Sequence, residues 1–214
     1  MNNLYWNTVT PDMRVILKQF SNTPTGAKFY LAGGTALSLQ LGHRLSVDLD
    51  FFSPTEDMPA LRAELEHALA SFHATLADSA WGNLVYLAEG VRVGFYGYGH
   101  PLVAPLVEVD GLRLASVEDI GLMKLDALLS RAMRKDFYDL YFICQKKSLR
   151  SLLDLAPQKY PAIRDFEVQS VKRLVYFENA EQDPDPILLQ PVTWQAVKQY
   201  FIAQASQIGR SWLP

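Results

Sequence analysis

Between Ser46 and Phe52 the chain reads Ser-Val-Asp-Leu-Asp-Phe-Phe, in which polar and apolar residues alternate strictly up to the final pair. Successive strand side chains take opposite faces, so Val47, Leu49 and Phe51 are expected to face a core and Ser46, Asp48 and Asp50 the other side. A chain with such a strand must build a sheet around it and an apolar layer beneath it. Two carboxylates two residues apart on one strand face stand about 7 Å apart at Cα. At that separation their oxygens can converge on a hard cation. Magnesium prefers oxygen ligands and is commonly held by one or two carboxylates plus substrate phosphates, and paired ions can clamp attacking and leaving oxygens.

Upstream, Phe29-Tyr-Leu31 runs into Gly33-Gly34, and Thr35 opens a short segment to Leu41 that reads as a helix. Glycine lets a backbone approach a ligand without a Cβ in the way, and the N–H groups of a helix start favour an anion such as phosphate. The turn is a candidate triphosphate cradle made by Gly33, Gly34 and Thr35. Alone, Gly-Gly is a turn and Asp-x-Asp a solvated strand face. Together, with thirteen residues between them, they point to phosphoryl chemistry with Asp48 and Asp50 as metal ligands.

The flanking segments supply the layers. Thr10 caps a helix with Pro11 at its first position and Met13, Ile16, Leu17 and Phe20 on one face, expected to pack beside the glycine-turn sheet. Leu61, Leu65, Ala68, Leu69 and Phe72 mark a second helix. Short β segments follow at Ala74 to Ala77, Leu84 to Leu87, Val91 to Tyr96 and Leu112 to Ala115. Ser116 opens a helix on which Lys124, Leu128, Arg131 and Lys135 are expected to form a cationic side beside the apolar Leu122, Leu125, Leu129 and Met133. Asp136 and Asp139 share a face of a next helix, Asp136 to Gln145. Ser148 to Leu155, Asp165 to Tyr176 and Thr193 to Ile208 read as further helices, with Pro157 to Pro161 as a linker. The expected class is α+β: a small mixed sheet flanked by helices over residues 1–115, then a helical part over 116–214.

Hydrophobic residues make up 49% and charged residues 20%, which excludes a disordered chain. No apolar run approaches a membrane span and no leader pattern opens the chain, so a soluble, cytoplasmic protein is expected. The single cysteine, Cys144, sits in an apolar helical stretch and reads as packing. A net charge of −3 announces no global field for nucleic acid, and Lys146, Lys147, Arg150, Lys172, Arg173, Lys198 and Arg210 read either as a basic groove or as scattered surface charge. The four histidines lack zinc spacing. No P-loop and no nucleophile elbow is present.

The glycine turn with Asp-x-Asp resembles the nucleotidyltransferase superfamily that includes DNA polymerase β. Gly-Gly-Thr-Ala-Leu, then Arg44-Leu-Ser-Val-Asp-Leu-Asp-Phe-Phe52, resembles the AbiEii/AbiGii toxin family within it. So does a second block, Leu122-Met-Lys-Leu-Asp-Ala-Leu-Leu-Ser-Arg131 with Arg134-Lys-Asp-Phe-Tyr-Asp-Leu-Tyr141. The resemblance spans about residues 29 to 145. It implies a Mg²⁺- or Mn²⁺-dependent enzyme that moves a nucleoside monophosphate from an NTP to an acceptor hydroxyl. A tRNA 3′ end is the implied acceptor and a cognate antitoxin the implied partner. Gly33, Gly34, Thr35, Arg44, Ser46, Lys124 and Arg131 are the implied phosphate-binding residues, and Asp48, Asp50, Lys124, Asp136 and Asp139 the catalytic set. Asp136 or Asp139 would act as a further ligand or as the base. Many members of the superfamily place a third acid on a later strand, whereas Val91-Arg-Val-Gly-Phe-Tyr96 carries none. Glu108 and Asp110 are the alternatives. Transfer to a protein side chain or small molecule, and non-catalytic binding by the same fold, stay open.

Overall fold

The computed structural model describes residues 3–212. The chain divides into two compact units, one running to Pro101 and including Pro105–Ser116, the other comprising Leu102–Ala104 and the chain from Val117 onward.

In the first unit, helix α1 (Pro11–Ser21) starts as its sequence dictates: the Thr10 side chain accepts from the Met13 N–H, and Pro11 needs no donor at the first position. Strand β1 (Tyr30–Leu31), helix α2 (Gly33–Leu41) and strand β2 (Asp48–Ser53) follow. Then come helix α3 (Arg62–Ala68) and strands β3 (Thr75–Ala80), β4 (Asn83–Ala88), β5 (Val91–Gly97), β6 (Val107–Val109) and β7 (Leu112–Leu114). Among the described residues these strands form one mixed sheet in the order β3-β4-β5-β2-β1-β7-β6. The central strand β2 runs antiparallel to β1 and parallel to β5.

The core lies under the centre of this sheet. Phe51 of β2 and Phe95 of β5 stack at 5.4 Å between centroids, and Phe20 of α1 closes on both at 4.7 and 5.2 Å. The expected packing of α1 on the glycine-turn sheet is therefore present. Aromatic pairs in such offset or tilted arrangements add about 1 kcal/mol each beyond their buried area.

At the glycine turn and the carboxylate strand two boundaries differ from the sequence expectation. The alternation begins at Asp48, and Val47 is 74% exposed while Ser46 is buried. Val47 precedes the strand, so its β-type alternation carries no information about the pleat. Helix α2 starts at Gly33, two residues before Thr35, because Gly33 takes a left-handed φ of 64° that turns the chain directly from β1 into the helix.

The second unit is helical: α4 (Val117–Ser130), α5 (Arg134–Cys144), α6 (Leu149–Lys159), α7 (Phe166–Arg173), α8 (Glu178–Gln182) and α9 (Trp194–Ser211). Phe137 of α5 packs against Phe177, Trp194 and Phe201 at 5.2 to 5.9 Å. Helix α6 runs through Pro157 instead of stopping before it. Proline's fixed φ is already helical, and its missing donor costs the Leu153 carbonyl its usual i+4 partner close to the helix end. The expected cationic side of α4 does not exist, since α4 ends at Ser130, Lys135 belongs to α5, and Lys124 and Leu128 are buried.

Candidate active site

The first unit gathers the glycine turn and the carboxylate strand. Asp48 and Asp50 lie on the face of β2 opposite Leu49 and Phe51, and both are partly exposed while those two are buried. A Cβ built on Gly33 would lie 3.3 Å from Asp50 Oδ2, so the turn runs directly against this acid. The Ala32 N–H also donates to the Asp50 carbonyl at 3.0 Å. Thr35 and Ser46 lock the same corner. Their buried hydroxyls share a hydrogen bond of 2.7 Å, and the Thr35 hydroxyl also donates to the Asp48 carbonyl. Helix α2 is capped by Ala32, which offers no side-chain acceptor, so the first-turn N–H groups have no cap from that side chain. Arg44 is buried, and its guanidinium donates to the Leu45 carbonyl at 2.9 Å.

The strand beside the two acids carries a cation in place of a third acid. β5 lies beside β2 with Asp48 opposite Arg92, Asp50 opposite Gly94 and Phe52 opposite Tyr96. Arg92 donates to Asp50 Oδ1 at 3.2 Å and to the Tyr96 hydroxyl at 2.7 Å. Burial pushes the Tyr96 hydroxyl up, as does the neighbouring Asp50 charge, while Arg92 opposes both. Glu108 and Asp110 do not serve as the third acid. Glu108 lies on the exposed edge strand β6, three strands from β2, about 14 Å away at the usual strand spacing. Asp110 turns the β6–β7 hairpin with a φ of 52°. No group of three or more metal-ligating side chains occurs among the described residues. Two hard carboxylate donors match the part a protein plays in holding magnesium when substrate phosphates supply further oxygens, so the donor set fits that ion.

The second unit gathers Lys124, Arg131, Asp136 and Asp139. The Lys124 ammonium lies 2.8 Å from Asp136 Oδ1 and 2.6 Å from Asp139 Oδ2, and both carboxylates are fully buried. Arg131, beyond the end of α4 and 53% exposed at its side chain, forks onto Asp136 at 3.0 and 3.1 Å. A left-handed Ala132 makes the turn that allows this, and the Arg131 and Ala132 N–H groups both donate to the Ala127 carbonyl. Burial alone would raise the Asp136 carboxyl, yet the Lys124 charge and the Arg131 fork hold it below the usual carboxylate range. Two positive and two negative groups balance.

A second buried pair is absent from any motif. Asp119 and Lys159, both without exposure, meet at 2.8 Å, and Asp119 also accepts from the Val103 and Ala104 N–H groups. Nothing in the spacing of residues 119 and 159 announces it. The surface cations Lys147, Arg150 and Lys198 are each engaged by acids, on Glu118, on Asp154 and Glu167, and on Glu181. Burial pushes the Cys144 thiol up to about 12, in keeping with a packing role.

The mixed sheet with a glycine turn facing a strand of two acids defines the nucleotidyltransferase fold. The structure superposes with a TM-score of 0.56 on a chain from H. pylori assigned to the nucleotidyltransferases, at 22% identity over 93% of this chain and 92% of that one. It matches the antibiotic-resistance factor ANT(2'')-Ia with a TM-score of 0.52, at 15% identity over 68% of this chain and 90% of that one. In sequence, the uncharacterized protein aq_aa25 of Aquifex aeolicus is 37% identical over 178 residues, covering 81% of this chain and 84% of the relative. Residues 15–80 and 90–210 match the family model of the AbiEii nucleotidyl transferase toxins of type IV toxin–antitoxin systems. The chain belongs to that family. No helix among the described residues is long and apolar enough to cross a membrane.

Proposed function

We propose that this protein is a Mg²⁺-dependent nucleotidyltransferase that moves a nucleoside monophosphate from an NTP to a hydroxyl of RNA, with a tRNA 3′ end as the acceptor. The observation that carries the reading is the close approach of Gly33 to Asp50, which sets a glycine turn against a pair of carboxylates on one strand face. The Gly33 and Gly34 backbone and the start of α2 would receive the β and γ phosphates. Thr35 and Ser46 hold that turn against β2 through their shared hydrogen bond, and Arg44 fixes the chain between them. Asp48 and Asp50 would hold the divalent cation. That ion, when bound, supplies charge neutralisation at the α phosphate and lowers the pKa of the acceptor hydroxyl.

The acceptor oxygen forms its bond to the α phosphorus as the bond to the β phosphate breaks. Pyrophosphate leaves with that electron pair and the hydroxyl proton is released. Lys124, Arg131, Asp136 and Asp139 would act together as one charge-neutral unit that fixes the α4–α5 pair, with Arg131 the cation of the unit that solvent reaches. The toxin family supports a cognate antitoxin as partner.

The test is incubation with each of four labelled NTPs plus Mg²⁺, with total RNA or total cell protein as acceptor, using the parent and Asp48→Ala side by side. Label in the RNA fraction of the parent alone is the expected result. Label in protein only would replace the acceptor. Equal label with Asp48→Ala would overturn the carboxylate roles.

A further inference from the structure

The strand beside the two acids presents a cation in place of a third carboxylate, and three features show that the arrangement is built. First, the in-register pairing of parallel strands puts Arg92, Gly94 and Tyr96 on the same sheet face as Asp48, Asp50 and Phe52. Second, Gly94 is a required gap. A Cβ there would meet the Tyr96 ring and hydroxyl at 2.5 Å, so the absent side chain opposite Asp50 is what lets the tyrosine fold back along its own strand. Third, the Tyr96 hydroxyl then accepts from one Arg92 nitrogen at 2.7 Å while another donates to Asp50 Oδ1 at 3.2 Å. Tilted packing of Tyr96 against Phe52, with ring centroids 5.3 Å apart, keeps the ring in place.

The guanidinium is thus aimed at an acid assigned to the cation, but its hold is modest. The Asp50 contact is at the long end of a charge-assisted bond, and the Arg92 side chain is 47% exposed. Such a half-exposed ion pair is worth about 1 kcal/mol or less, so another positive charge at Asp50 can displace it. Arginine is also the side chain whose planar fork suits phosphate oxygens. Asp50 and a nucleotide's phosphates are two alternative partners for one cation.

We propose that Arg92 is a positioning residue that serves as the resident counter-ion of Asp50 and exchanges onto a phosphate of the incoming nucleotide, releasing Asp50 to a divalent cation. This rests on the assignment of Asp48 and Asp50 as cation ligands. Its consequence is coupling: cation alone binds weakly because it must displace Arg92, whereas cation and nucleotide together satisfy both partners. The substrate is thereby specified by class, a cation-complexed polyphosphate nucleotide rather than a free metal ion or a nucleotide without metal.

The experiment measures binding, not turnover. Mn²⁺ affinity is read by electron paramagnetic resonance, with and without the α,β-methylene analogue of whichever of ATP, CTP, GTP and UTP binds tightest. The parent, Arg92→Gln, Arg92→Lys and Asp50→Asn are compared. Arg92→Gln should bind Mn²⁺ alone about three- to tenfold more tightly than the parent, as expected for losing a like charge at a half-exposed site. It should bind the analogue with Mn²⁺ about tenfold more weakly. Arg92→Lys, which keeps the charge, should stay within twofold of the parent for Mn²⁺ alone. A merely structural role would lower both affinities or neither. Unchanged or weaker Mn²⁺ binding by Arg92→Gln, together with loss of Mn²⁺ binding by Asp50→Asn, overturns the exchange and leaves the carboxylate assignment standing. Mn²⁺ binding by Asp50→Asn equal to the parent overturns both.

Discussion

Replacing Lys124 by methionine removes an ammonium that two fully buried carboxylates share at 2.8 and 2.6 Å. The methionine fills most of the space, so the loss is electrostatic. Removing one partner of a buried ion pair destabilises by about 3–5 kcal/mol, because the remaining charge stays buried without its counter-ion. For a chain of this size each 1 kcal/mol moves the melting temperature by about 2–4 °C, so Lys124→Met should melt about 6–20 °C below the parent at pH 7. The pH dependence separates this cause from lost packing. In the parent, Asp136 is held below its unfolded value, so its contribution is fully present above about pH 4 and is lost only as pH falls through the lower folded value. In the variant, burial of carboxylates no longer balanced by Lys124 favours their protonated form. A raised folded pKa reverses the sign, so the variant's deficit is full at pH 7 and shrinks as protons bind toward pH 5. Adding Asp139→Asn to Lys124→Met should recover part of the loss, as a cycle of coupled neighbours requires. Scanning calorimetry at pH 5, 6 and 7 reads all of this. A deficit under about 2 °C at pH 7, or one that is constant down to pH 5, refutes the buried-charge account.

Gly33→Ala should lower the melting temperature by a few degrees, since a left-handed alanine costs about 1–2 kcal/mol, and should reduce label transfer at least tenfold by crowding Asp50, whose Oδ2 would lie 3.3 Å from the new methyl. Asp119→Ala strands the fully buried Lys159 ammonium and the Val103 and Ala104 N–H groups. Urea unfolding should show a loss of about 3–5 kcal/mol, against only about 1–2 kcal/mol for Thr35→Val, which removes a neutral hydroxyl bonded to Ser46 and the Asp48 carbonyl. The Cys144 thiol, pushed from 9.0 to about 12 by burial, should react with a disulfide reagent at pH 8 about a thousandfold more slowly in the folded chain than in urea, because thiolate is the reacting form. Equal rates would place that thiol in the open.

What could be read from the residues alone was what local rules decide. Thr10-Pro11 caps α1 because a hydroxyl and a missing donor suit those two positions in any context. The glycine turn and Asp-x-Asp could be placed because strand pleating fixes which side chains share a face. Two short pieces show no period of their own: β6 has three residues and α8 five. Lys124 escapes local rules for a different reason. A lysine is almost never fully buried unless paired, and its partners lie twelve and fifteen residues on, across a turn made by a left-handed alanine that no propensity favours. Helical spacing alone puts it on a cationic side with Arg131 and Lys135, and only the packing of α4 against α5 turns that side inward.

The character of the carboxylate site was hidden by register, which is a relation between strands. Read singly, Val91 to Tyr96 is a strand lacking an acid, and Arg92 is a polar residue on its outer face. Only the pairing of Asp48 with Arg92 and Asp50 with Gly94 turns that strand into a statement about the acids. A slip of one residue would set Val93 opposite Asp48 and flip the guanidinium to the apolar side, where Phe20, Phe51 and Phe95 leave no room for it. The aromatic cluster under the sheet and the cation above it are thus fixed by the same register. A substitution that loosens the core at Phe95 would move Arg92 away from Asp50 without touching either residue, and the first sign would be a change in cation binding rather than in stability alone.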